Sequence, residues 1–407
     1  MTVEELRKQF PVLSREVYGK PLIYLDNAAT TQRPESVIRV QADSASLHNG
    51  NTHRAVHALA GEATRAYEGA RERVREFIGA DSAEEIVFTS GTTASINLVA
   101  SSFGDKYIGH GDEIIIAESE HHSDIIPWQL LAQRKGAKLV VLPVDEQGRL
   151  EIEKLPALIT AQTKLICVAH VSNVLGLINP IKEIVSVAHS HDIPILVDGA
   201  QAVAHIGVSV TDLDCDFYAF SGHKMYAATG IGVLYAKKKW LEQMPPFMGG
   251  GEMIDTVSWD SSTYASIPFK FEAGTPNINS VPTFVPAIEL LDTLKGGEVA
   301  SELDKIKRYV YDALASDERI VLRGTTQNLG EKVPLFSFSV NGVHHEDLAL
   351  VLDKMGIALR SGHMCAQPLM TRYGVTGMLR ASFAPYNTLA EAKSFIGALD
   401  RAIKMLQ

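Results

Sequence analysis

Lys224 stands in FSGHKMYAATGIGVL, after an apolar run and a Ser-Gly-His turn and ahead of two glycines. A lysine held in such a turn beside a buried site can lose its proton and form a Schiff base with an aldehyde. Taken alone it reads more simply as a solvated surface lysine. Asp198 ends PILVDGAQ, where an unpaired carboxylate is costly. It could pair with a protonated pyridine nitrogen and keep the ring electron-poor, or it could cap a helix. Gln201, three residues on, would reach the same place. In VFTSGTTASINLVA a strand pattern runs through Ser-Gly-Thr-Thr into a helix. Free N–H groups and the hydroxyls of Thr92 and Thr93 would face an anion there, although a plain helix cap serves equally well. Ser221 and His223 add a hydroxyl and an imidazole from the Lys224 turn. His121, in IIIAESEHH, could stack on a planar ring and shuttle protons. Asn173, in AHVSNVLG, could donate to an oxygen of that ring system or cap its own loop. Arg380, among apolar neighbours in MLRASF, could clamp a carboxylate through two parallel hydrogen bonds, with an ion pair to a protein acid as the simpler reading. Cys365 has Arg360 and His363 close in sequence, and positive neighbours raise the thiolate fraction of a cysteine. Cys167 and Cys215 lie in apolar surroundings and read as structural.

The elements that must position these groups follow from hydrophobic patterning. Strands are expected at 84–90, 112–119, 137–144, 163–170, 194–200, 216–222 and 232–238. Several are apolar at consecutive positions, as in a sheet covered on both faces. Helical stretches such as TTASINLVASSFG, SDIIPWQLLAQRKG and IKEIVSVAHSHD alternate with them. The expected fold is therefore α/β, with a mainly parallel seven-stranded sheet flanked by helices. In such sheets ligands sit beyond the carboxyl ends of the strands, where most of the residues above fall. From about residue 282 a long helical pattern through residue 316 is followed by the alternating strand PLFSFSV, a helix, the short strand IALRSG, the strand MLRASFAPY and a closing helix. This predicts a smaller α+β domain. The expected division is an N-terminal segment 1–20 packing with the small domain, a large domain 21–281, and a small domain 282–407 carrying the Cys365 loop.

Composition bounds the rest. The chain has 407 residues, 46% of them hydrophobic, enough for a sizeable core, and a net charge of −10. That charge argues against nucleic acid or an anionic membrane as main partner. Three scattered cysteines suit neither a disulfide framework nor a metal site by spacing, and point to a reducing, cytoplasmic setting. The N-terminus lacks the apolar core of a signal peptide, and no run reaches the ~20 apolar residues that span a bilayer. The GGGE run at 249–252 lacks the preceding strand and following Lys-Ser/Thr of a nucleotide loop and reads as a flexible loop.

The segments SGTT, ESEHHS, VSNVLG, VDGAQ and SGHKM, in this order, resemble the class V branch of fold-type I pyridoxal-phosphate enzymes. YLDNAATTQRP (24–34), NTHRAVHALA (51–60), FEAGTPN (271–277) and RSGHMCAQPL (360–369) extend the resemblance over nearly the whole chain, and the last of them is similar to group II cysteine desulfurases of the SUF type. The resemblance implies pyridoxal 5'-phosphate held on Lys224. Asp198 would meet the pyridine nitrogen, Gln201 the ring hydroxyl, and His121 the ring face. Thr93, Ser221 and His223, with Thr92, would bind the phosphate. Thr275 would reach the phosphate of a partner subunit, which implies a homodimer. Asn173, Arg360 and Arg380 would hold the carboxylate of L-cysteine, and Cys365 would take its sulfur, release L-alanine and pass the sulfur to a SUF-type acceptor protein for iron–sulfur cluster assembly. The family often has two histidines before that cysteine; here the second is Met364. SGTTAS also lacks the acid that many relatives carry after the threonines. Competing readings are a selenocysteine lyase, another class V aminotransferase or kynureninase-like enzyme, and an inactive scaffold.

Overall fold

The computed structural model describes residues 1–407. The seven expected strands form one sheet: β1 (Ile86–Thr89), β2 (Glu113–Ala117), β3 (Lys138–Leu142), β4 (Thr163–Ala169), β5 (Ile195–Asp198), β6 (Phe217–Ser221) and β7 (Gly232–Ala236), in the spatial order β1-β7-β6-β5-β4-β2-β3. All pairings are parallel except those of β7, which runs antiparallel to β1 and β6. Side chains alternate between faces along a strand, and both faces are covered. Ile166 and Val168 of β4 enter a core shared with helices α1 (Ala58–Ile78) and α4 (Ile181–His189), whereas Leu165 and Cys167 enter one shared with α2 (Thr92–Tyr107) and α3 (Ile126–Lys135). Consecutive apolar residues are thus required at each strand. Cys167 and Cys215 are buried in these two cores, and burial raises both thiols.

A second, four-stranded antiparallel sheet joins β8 (Ile320–Arg323), β9 (Leu335–Val340), β10 (Arg360–Gly362) and β11 (Met378–Ser382) in the order β8-β9-β11-β10. Phe336 and Phe338 of β9 and Leu379 of β11 pack with Phe395 and Leu399 of the closing helix and with Val310 and Leu314. Strand β8 was not expected from the pattern; it is a short edge strand, partly exposed at every position. The IALRSG segment divides. Ile357–Ala358 pairs with Ile23–Tyr24, and only Arg360–Gly362 joins the second sheet.

The long helix expected across 283–316 is two helices, α5 (Phe284–Thr293) and α6 (Gly297–Ala315). They part at Gly296, whose φ of 84° no right-handed helix accommodates, and α6 opens on Gly297 at φ 72°. The packing partner changes just beyond this point, after Val299 in the first turn of α6, which still enters the core of the seven-stranded sheet. Phe284, Ile288 and Leu291 of α5 enter the core of the seven-stranded sheet, whereas Ile306, Val310 and Leu314 of α6 enter the core of the four-stranded one. The N-terminal segment touches both bodies: Arg7 pairs with Glu391 at 2.9 Å, and Phe10 packs on Tyr386 and Tyr226.

Candidate functional site

A cavity of about 220 Å³ opens at the carboxyl edge of the large sheet. It is lined by Thr92, Thr93, His121, Asn173, Asp198, Gln201, Ser221, His223, Lys224, Arg360, Cys365 and Arg380, together with Ser123, Met364 and the Ala28–Ala29 turn. Of the residues singled out in the sequence, Thr275 alone lies elsewhere. It is exposed between Gly274 and Pro276, which border a separate depression containing His53 and Arg54.

One end of the cavity is built for an anion. Helix α2 begins at Gly91 with no side-chain cap, so its first N–H groups and the positive end of its dipole face the cavity. Gly91 has φ 148°, and a Cβ added to Gly232 would come within 2.4 Å of its Cα, so two glycines let the loop lie against β7. The Thr92 N–H donates to Ser221 Oγ at 2.8 Å, and the two hydroxyls are 2.7 Å apart. Thr93 Oγ1 is 2.7 Å from Ser123 Oγ. Backbone register brings these groups together, since Gly232 of β7 pairs with both Thr89 of β1 and Ser221 of β6.

The middle of the cavity carries the titratable groups. Asp198 ends β5, where one of its oxygens accepts the Ala200 N–H at 2.8 Å; burial raises its carboxyl. Lys224 follows β6 in a single turn of 3-10 helix. Burial lowers its amine, Asp198 opposes that shift, and the Arg380 guanidinium adds to it. The His121 imidazole is pushed down to about 3, by burial first and then by Lys224, so it is neutral at ordinary pH. Its Nδ1 accepts the Ser123 N–H at 3.0 Å, which fixes the ring. His223 is likewise pushed down to about 4 by burial and by Lys224. The Gln201 side-chain amide donates to Ala28 O at 2.7 Å.

Beyond His121 lies a pair the sequence reading missed. Glu120 and Asp124 are fully buried. Glu120 Oε1 accepts the Ala169 N–H at 2.8 Å and Asp124 Oδ1 accepts the Trp128 indole N–H at 2.8 Å, while the second oxygen of each has no partner. Burial raises both carboxyls, and each also feels the charge of Asp198.

The far end is cationic. Arg360 of β10 and Arg380 of β11 are directly paired across strands, an arrangement of like charges that is unfavourable by itself. Asp26 sits between them, 3.4 Å from Arg380 and 3.7 Å from Arg360. Two guanidiniums share one carboxylate, and Arg380 Nε is buried with no acceptor. Asp26 was also missed; its signal was a charge inside the apolar run YLDNAA. Arg380 Nη1 further donates to Asn173 O at 2.8 Å, and the Asn173 amide donates to Met364 O at 2.7 Å. Asn173 therefore ties the arginine to the Cys365 loop, and its Nδ2 already serves a carbonyl. That loop is also pinned by the His122 N–H, which donates to Cys365 O at 2.7 Å. Met364, in the position of the missing histidine, has its side chain in the core, and Met364 and Cys365 adopt left-handed φ angles of 52° and 57°.

The donors fit a phosphorylated pyridine aldehyde. An uncapped helix start with hydroxyls suits a phosphate, a buried carboxylate suits a protonated ring nitrogen, and an amine of lowered basicity lies among them. Comparison with known proteins agrees. The aminotransferase class-V family model matches residues 23–395. A probable cysteine desulfurase of Halalkalibacterium halodurans is 48% identical over 401 residues, 98% of each chain. The cysteine desulfurase of Salmonella typhimurium is 46% identical over 407 residues, 99% of each chain. Among solved structures, the Escherichia coli cysteine desulfurase CsdA, in its S-sulfonic acid form, superposes with a TM-score of 0.91 at 41% identity, covering 100% of both chains.

Proposed function

The chain belongs to the class V aminotransferase family, and from that premise we propose that it is a cysteine desulfurase, converting L-cysteine to L-alanine and leaving the sulfur on Cys365. The observation that carries this reading is the convergence of Lys224, Asp198 and Cys365 on one cavity, with a surplus of guanidinium at its cationic end. Members of the family use pyridoxal phosphate. Here Lys224 would carry it, Asp198 would pair with its ring nitrogen, Gln201 with its hydroxyl, and His121 would lie on its face. Thr92, Thr93, Ser221, His223 and the start of α2 would take its phosphate. The chemistry it supplies when bound is withdrawal of electrons from the α-carbon of the amino acid.

The protein's own groups do the remainder. Arg380 and Arg360, one carboxylate short of neutrality, orient the substrate carboxylate. Lys224 Nζ, kept weakly basic by burial, takes the α-proton. The Cys365 thiolate attacks the substrate sulfur, the β-carbon–sulfur bond breaks, and the carbon gains a proton to give alanine. The protein is left with a persulfide, so cysteine plus thiol gives alanine plus persulfide with no further reactant. Replacing Cys365 with Ala should abolish alanine formation from cysteine and largely spare alanine formation from selenocysteine. Undiminished cysteine turnover would refute the assignment and favour the selenocysteine lyase or another class V activity.

The finer reading is a group II enzyme of the SUF type, delivering the persulfide to a SUF-type acceptor for iron–sulfur cluster assembly; the RSGHMCAQPL segment supports it. A homodimer, with Thr275 reaching the partner's phosphate site, is supported by the exposure of Thr275 and by the fully exposed apolar side chains of Val56 and Trp259. Three free cysteines support a reducing, cytoplasmic setting. No helix is long and apolar enough to cross a membrane.

A further inference from the structure

Outside the cofactor cavity, on the solvent side of the nucleophile, His122 and His363 face Cys365. The three potential ligand atoms all lie within 4.8 Å of one another. The two imidazoles are 5.4 Å apart, centroid to centroid. From this juxtaposition we infer that His122, His363 and Cys365 form a binding site for a thiophilic divalent cation of the zinc type, which caps the nucleophile.

The chemistry of the donor set carries the inference. Two imidazoles and one thiolate are ligands that zinc prefers, and three protein ligands leave the fourth tetrahedral position for water. The cluster is held in place by backbone contacts. The His122 N–H donates to Cys365 O at 2.7 Å, the Gln367 N–H donates to His122 Nε2 at 3.1 Å, and the Cys365 N–H donates to His363 Nδ1 at 3.1 Å. Both rings thus turn a lone pair towards the cysteine loop, and a metal exchanges those two long N–H contacts for its own bonds. His363 is exposed and His122 and Cys365 are partly so, which leaves the ion a path from solvent. Ligand separations of up to 4.8 Å leave the set wider than a closed tetrahedron with bonds of about 2.0–2.3 Å needs, so binding draws the side chains together. The thiol proton is released to solvent as the Cys365–metal bond forms. The metal and an incoming sulfur then compete for the same Sγ, so the site acts as a reversible block on sulfur transfer. The inference does not depend on the desulfurase assignment, because it concerns the free thiol.

The test is zinc titration of the tag-free holoenzyme against a chromogenic chelator, with the rate of Cys365 alkylation by iodoacetamide followed by peptide mass spectrometry. One zinc per chain is expected, with alkylation slowed in step with occupancy. His363→Ala, which alters an exposed side chain, and Cys365→Ser, which keeps the loop's size, should each weaken zinc binding by at least about ten-fold. Zinc binding unchanged by both substitutions, alkylation unaffected by bound zinc, or no stoichiometric binding at all would each overturn the site.

Discussion

At the scale of single residues, the site works by taking charged groups out of water and deciding which keep their protons. Lys224 and His121 are pushed towards their neutral forms, and Asp198, Glu120 and Asp124 are pushed towards theirs. The Glu120–Asp124 pair gives a test that needs no substrate. A carboxyl whose folded pKa is raised adds stability below its unfolded pKa of about 4 and loses that contribution as pH rises through the folded value. Asp124→Asn keeps an acceptor for the Trp128 indole and removes one of two adjoining charges. Its denaturation midpoint, relative to the parent, should therefore climb steadily as pH is raised above about 5. A difference that stays constant with pH would mean that the pair does not hold its protons. Much of this scale was legible in advance, because Lys224, Asp198 and Cys365 sit in short motifs at strand ends. The Glu120–Asp124 pair was not, because nothing in SEHHSD tells a buried carboxylate from a solvated loop acid. Asn173 lines the cavity as expected, and its Nδ2 also holds the cysteine loop through Met364 O, a contact across 191 positions that no local pattern encodes.

At the scale of elements, strand order and two glycines build the anion end, and a buried ion pair fixes the helix behind it. Arg71 of α1, 1% exposed, is clamped by Glu272 at 2.7 Å, and Glu272 also accepts the Phe88 N–H of β1 at 2.7 Å. Glu272→Ala leaves the buried guanidinium with Glu68 as its one carboxylate, beside the Ile86 carbonyl, and strands the Phe88 N–H, so it should cost about 3 kcal/mol in chemical unfolding. A loss below about 0.5 kcal/mol, typical of a surface change, would contradict the clamp. Gly232→Ala forces its Cβ onto Gly91 and should weaken cofactor affinity by about ten-fold or more, for a displacement worth about 1.4 kcal/mol, as read by titration of the apoprotein. Most large-sheet strands were readable because both faces are buried and they carry consecutive apolar residues, while the partly exposed edge strand β3 keeps the short apolar run LVVL. Periodicity suited both halves of 283–316, and only the backbone of Gly296 and Gly297 reveals that α5 and α6 serve different cores. Strand β8 was missed because a half-exposed edge leaves little alternation to read.

At the scale of the whole molecule, the question is what Thr275 and the exposed apolar side chains face. If two copies exchange Thr275, a Lys224→Ala chain and a Thr275→Ala chain should complement each other. Each parent would be impaired, the second by about ten-fold for loss of a hydrogen bond to a charged group, while mixed dimers would regain one intact site. Activity in refolded mixtures that never exceeds the weighted parents would place Thr275 outside any shared site. Composition pointed to this scale only weakly, since symmetry leaves no trace in a single chain.

The central claim is that sulfur from cysteine comes to rest on Cys365, and it can be read directly. The holoenzyme is mixed with L-cysteine, quenched by alkylation, digested, and analysed by peptide mass spectrometry. The account predicts one additional sulfur atom on the peptide containing Cys365, with an equivalent of alanine formed and none added at Cys167 or Cys215. Alanine produced while Cys365 carries no extra sulfur would contradict it.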